Sequence, residues 1–173
     1  MAISLYSISV ISFQQILGAV SGVLNKGLAY CSEKGIDPQE MVEANLIADM
    51  APLSFQIRSV AHHTWGALQG CSVGVSGPPA KAAPLDYAGL QHLIAEATAG
   101  VAAFSAETVD GFEGKDMLFQ MGDIKIPFTT EGYLMSFALP NAHFHATTAY
   151  DILRMKGVPL SKRDYLSQMR IKG

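Results

Sequence analysis

Asn141, His145 and Thr148 bring an amide, an imidazole and a hydroxyl to one C-terminal segment at spacings of four and three residues. On a helix turning ~100° per residue they share a stripe with Leu134, Ala138, Ala149 and Ile152, all within about 60° of His145. The stripe is apolar at both ends, so it faces a core. Buried polar groups are costly unless they find partners, so three together point to an internal network or a site. An imidazole with an ordinary pKa of about 6.5 can ligate a metal or act as a general acid or base at neutral pH. The plainer reading of His145 is a core histidine bonded to Asn141, Thr148 or a neighbouring helix. His143 lies about 160° away on the same helix and points outward with Arg154.

A second set of polar residues precedes it in the chain. Gln56 lies about 100° from the centre of its helix's inward stripe. At that border of the core it either completes a network with His145 or caps packing at a helix seam. His63 lies about 120° and His62 about 140° from the same centre, on opposite sides. With Trp65 they also read as a partly exposed boundary of the aromatic kind found at subunit interfaces. His92 is about 140° off its own stripe and solvated. Cys31 and Cys71 form neither a metal-ligand spacing nor a disulfide framework and read as small apolar fillers.

Four long helices must position these groups. Phe13, Ile16, Leu17, Val20, Val23, Leu24 and Leu28 recur at three- and four-residue steps, which predicts a first helix from near residue 3 to Lys34 with Gly35 as its cap. Asp37, Pro38 and Glu40 open a short helix. A second long helix runs from about residue 51 to Gly70. Residues 72–84 read as a Gly-, Pro- and Ser-rich loop. A third helix runs from about Asp86 to Thr108. The period then changes: 117–121 and 124–128 flank Gly122-Asp123 as a hairpin, with Pro127 suited to an edge strand. A fourth helix spans about 130–156 and stops at Gly157-Val158-Pro159, with Pro140 expected to kink it just before Asn141. The expected fold class is all-α: one domain, 1–173, a four-helix bundle with a β-hairpin between helices 3 and 4.

Composition narrows the function classes. Of 173 residues, 49% are hydrophobic and 16% charged, against about 25% charged in typical soluble domains. A net charge of −3 and a pI near 5.9 argue against nucleic acid as the main partner. The first 25 residues carry no charge, but serines and glutamines interrupt them and no basic start precedes them, which argues against a signal peptide or membrane anchor. A buried first helix, a cytoplasmic location and a homodimer are the expectations. Six of the twelve Lys and Arg cluster from Arg154 onward, mixed with Asp151 and Asp164, as on a solvated face.

Pro140-Asn141-Ala142-His143-Phe144-His145-Ala146-Thr147-Thr148-Ala149-Tyr150-Asp151-Ile152-Leu153-Arg154, then Gly157-Val158-Pro159 and Lys162-Arg163-Asp164-Tyr165-Leu166, resembles a set of bacterial and fungal proteins catalogued as a domain of unknown function. That set is similar to the DinB-like, YfiT-like four-helix-bundle superfamily. Pro52-Leu53 with Phe55-Gln56-Ile57 supports the resemblance, which covers nearly the whole chain. Many DinB-like proteins bind a divalent metal through a second-helix histidine and a His-x3-His pair on the fourth helix. The resemblance places His145 at the second position of that pair and Asn141 at the first, with His62 or His63 as the second-helix partner. An asparagine oxygen is a poor substitute for imidazole toward zinc or nickel. No cofactor is therefore expected, with zinc or nickel as the alternative. The functional expectation is a small-molecule-binding or interaction protein with a polar core site at Gln56, Asn141, His145 and Thr148. The alternative is a metal- or thiol-dependent transferase or isomerase, activities found among superfamily members.

Overall fold

The computed structural model describes residues 3–172. Its longest helix, α2 (Val10–Lys34), buries the apolar face anticipated from the spacing, including Phe13, Leu17, Val20 and Leu24. A short α1 (Leu5–Ile8) precedes it, so the expected single helix is interrupted. At the break Ser9 has φ −102° and ψ −73°, and its hydroxyl donates to the Leu5 carbonyl at 2.6 Å beside the backbone N–H bond to the same oxygen, a back-bond that bends helices. Gly35 ends α2 at φ 66°, a left-handed cap conformation that glycine reaches without strain. The Leu5–Lys34 stretch is long and apolar enough to cross a membrane, yet half of its most apolar window is buried against the rest of the chain.

After α3 (Pro38–Val42), α4 (Leu53–Ala61) continues into a π-helical turn (His62–Gly66) and then α5 (Ala67–Val73). Asp86 caps α6 (Tyr87–Ala102), and Ser105 caps a separate α7 (Ala106–Asp110). The third helix thus ends six residues earlier than its apolar pattern suggested. The hairpin forms as β2 (Asp116–Met121) and β3 (Ile124–Thr129), with Leu118 opposite Pro127. Pro127 lies on an edge strand, where its missing N–H costs no ladder bond. A two-residue β1 (Val75–Ser76), within the segment expected to be loop, pairs parallel to β2 and completes a three-stranded sheet. Gly77 allows this approach, because a Cβ there would stand 2.8 Å from the Gln120 carbonyl oxygen.

The last long stretch is α8 (Thr130–Tyr133), a second π turn (Leu134–Ala138) and α9 (Leu139–Met155), followed by α10 (Lys162–Leu166). Pro140 lacks an N–H, and in a regular helix its ring would collide with the carbonyl four residues back. The wider turn just before it relieves that conflict where a kink was expected. The molecule is mostly helical. α2 packs on α6 and α9, and α4 packs on the same two helices. Trp65, in the first π turn, is seated on the backbone of α6: a Cβ at Gly100 would lie 2.3 Å from the indole ring. Gly100→Ala therefore overpacks this contact. We expect a net destabilisation of about 1–2 kcal/mol in urea, despite alanine's better helix propensity, together with a shifted Trp65 emission maximum. A more stable variant with unchanged emission would contradict the packing.

Candidate functional site

Gln56, on α4, is buried to 2% exposure and makes two hydrogen bonds in opposite directions. Its Nε2 donates to the Ala51 carbonyl at 2.9 Å, and its Oε1 lies 2.8 Å from Nδ1 of His145 on α9. A carbonyl can only accept, so the amide nitrogen must face Ala51 and the amide oxygen must face His145. His145 therefore donates from Nδ1, and its Nε2 keeps a lone pair. Burial holds the His145 pKa below the ordinary imidazole value, so the ring is neutral at physiological pH.

His63 stacks on His145, with near-parallel rings and centroids 5.6 Å apart, and meets Phe137 edge-on at 5.7 Å. His62 contacts His63 edge-on at 5.0 Å, and its Nε2 lies 2.9 Å from the Gly77 carbonyl. Three imidazoles thus form a row, His62–His63–His145, that ends on Gln56. His63 had been expected well off the inward face; it is instead 7% exposed. Helix packing explains the difference: α9 and the turn before it cover the flank that His63 occupies, through His145 and Phe137, so the core extends beyond the apolar stripe. His63 Nδ1 is buried with no hydrogen-bond partner among the described residues. Burial, reinforced by repulsion from His62 and then His145, pushes its pKa down to about 3.

The other members of the expected site are placed differently. Asn141 Nδ2 donates to the Phe137 carbonyl and the Thr148 hydroxyl to the Phe144 carbonyl, each at 2.8 Å and each within its own helix. Among the described residues neither hydrogen-bonds His145. His143 is exposed, against the Tyr165 hydroxyl at 3.1 Å, and His92 is exposed beside Glu96. Cys31 and Cys71 are buried free thiols; burial pushes Cys71 up to about 12, far from thiolate formation. A catalytic transition metal needs three protein ligands; His145 Nε2 keeps its lone pair, and Asn141 offers only an amide oxygen, its nitrogen being turned to its own helix. Among the described residues no three His, Cys, Asp or Glu side chains are placed to hold an ion.

A cleft of about 450 Å³ opens beside the row, between α4, the first π turn, α6 and residues 79–82. His62 and Phe55 line it, and Phe55 also touches the His145 ring edge-on at 5.8 Å. Trp65, Leu93, Arg58 and Lys81 complete the walls that matter here. Neither Arg58 nor Lys81 stood out in the sequence, because the cleft exists only once the Pro-rich segment folds back on α4. The Arg58 guanidinium, which donates to the Ala83 carbonyl, is one tie holding it there.

Because the folded-state pKa of His63 lies below its unfolded value, the unfolded chain takes up the proton first and stability declines as pH drops below about 6.5 toward 3. The decline approaches roughly 1.4 kcal/mol per pH unit for one fully excluded proton. Burial lowers His62 and His145 too, so their effects share that sign. His63→Leu removes an unpaired polar atom, and we expect it to unfold near the wild-type temperature at pH 7.5 but above it at pH 5. Parallel melting curves for the two proteins across that range would contradict the buried neutral imidazole.

The comparisons with known proteins agree with this architecture. The fold is similar to the crystal structure of a DinB family member protein from Shewanella denitrificans, with a TM-score of 0.81 and 24% identity over 98% of this chain and 95% of that one. No curated protein matches the chain. The family model for a domain of unknown function, DUF1993, matches residues 5–166, and the chain belongs to that family.

Proposed function

We propose that this protein is a DinB-like four-helix bundle, with its hairpin between the third and fourth long helices, that binds a small molecule in the cleft next to the histidine row. The observation that carries this reading is the sharing of His62 and Phe55 between the two: the cleft ends on side chains that touch the Gln56–His145 network. A concave, mostly apolar site with a few convergent polar groups is what small-molecule recognition requires. Binding without a resident transition metal is part of this proposal, since no three His, Cys, Asp or Glu side chains are placed to hold an ion among the described residues. The buried thiols weigh against thiol-dependent transfer by the chain's own cysteines: burial raises the pKa of both, that of Cys71 to about 12. A cytoplasmic homodimer belongs to the same proposal, on the low charge content and the prevalence of two-fold pairs.

Trp65 is the chain's single tryptophan and lines the cleft, so its emission reports occupancy directly. The test is a titration of the untagged protein with a panel of small carboxylates, amines and neutral heteroaromatics. At least one class is expected to change Trp65 emission saturably and to raise the melting temperature by mass action. A panel that leaves both unchanged at millimolar concentration would refute the reading.

A further inference from the structure

The charges around the cleft go further than its shape. The chain has 15 acidic and 12 basic residues, yet no Asp or Glu lines this cleft, while Arg58 and Lys81 do. They approach from different walls, Arg58 from α4 and Lys81 from the Pro-rich segment. Among the described residues, neither has a carboxylate within 4.0 Å. Arg58 donates to the Ala83 carbonyl, which orients the guanidinium; a guanidinium carries five N–H donors in all, so one such bond leaves capacity for a planar acceptor. The remaining walls are largely apolar, with Trp65 held against Gly100 beside Phe55, Pro79 and Leu93.

We propose that the cleft takes a small organic carboxylate with a planar apolar body, its carboxylate held by Arg58 and Lys81 and its body packed on Trp65. A cation would meet two like charges, and a neutral ligand would leave both cations unanswered. A carboxylate gains charge-assisted hydrogen bonds, bidentate where the guanidinium allows, in a site partly screened from water. The apolar walls select against fully polar anions, whose desolvation they would not offset. His62 contributes packing at the inner end, because its Nε2 is already committed to Gly77.

This inference rests on the small-molecule reading above, and the experiment separates the two. Phenylacetate, phenylacetamide and phenethylamine share one aromatic body and differ in charge. Titrated into the full chain and followed by Trp65 emission and calorimetry, phenylacetate should bind roughly tenfold more tightly than the amide, and the amine most weakly. Lys81→Gln and Arg58→Gln should each bring the acid-to-amide affinity ratio toward one; the ratio is the readout because Arg58 also ties the cleft wall at Ala83. Equal affinities for acid and amide, or an advantage that survives both substitutions, would overturn the charge assignment. So would silence from all three compounds while another class in the broader panel binds; the small-molecule reading would then stand without it. Silence from the whole panel overturns both.

Discussion

The Gln56 amide is the constraint on which this site depends. It ties the chain just ahead of α4 to the middle of α9, through the Ala51 carbonyl on one side and His145 on the other. Because Gln56 is buried, the two bonds cannot be exchanged for water, and loss of a buried partner costs about 1–3 kcal/mol. The tie also has a direction. An acceptor at Ala51 fixes which end of the amide faces His145, and this decides which imidazole nitrogen carries the proton. The position of a backbone carbonyl is thereby converted into the chemical state of a side chain on another helix.

The two π turns supply the rest of the geometry. One carries His62 and His63, and the other carries Phe137; they meet where the His63 ring packs on Phe137. Phe137 in turn contacts Phe119, Phe128 and Tyr133, so the histidine row runs into the aromatic cluster over the small sheet. A π turn inserts one residue into a helix and re-aims everything beyond it, and such turns recur at functional sites. Here His63 packs against His145 while His62 lines the cleft, which places adjacent residues in different environments.

Much of this was legible in the residue pattern, for reasons that also explain what was not. Apolar spacing reveals helices where burial is one-sided, as with Phe13, Leu17, Val20 and Leu24, and Gly122-Asp123 marks a hairpin because a positive φ, 59° at Gly122, favours glycine. The stripe around His145 was visible for the same reason, and Gln56 was visible as a border residue able to complete its network. Asn141 and Thr148 share the stripe but bond to their own helix four residues back, a choice that spacing does not reveal. The burial of His63 depends on His145 and Phe137 covering its flank of the helix, a tertiary contact that no local spacing announces. The cleft depends on residues 79–82 folding against α4, a long-range arrangement invisible in a stretch that reads only as loop.

Gln56 sets the protonation of His145, and side-chain nitrogen chemical shifts test this without a ligand or an activity. Long-range 1H–15N correlation spectra at pH 7.5, assigned with His145→Asn and compared with Gln56→Leu, read the proton's position directly. The expected spectrum shows a neutral His145 with a protonated, pyrrole-like Nδ1 and an unprotonated Nε2, and a loss of this tautomer in Gln56→Leu. A His145 protonated at Nε2 in the wild-type protein, unchanged in Gln56→Leu, would contradict it.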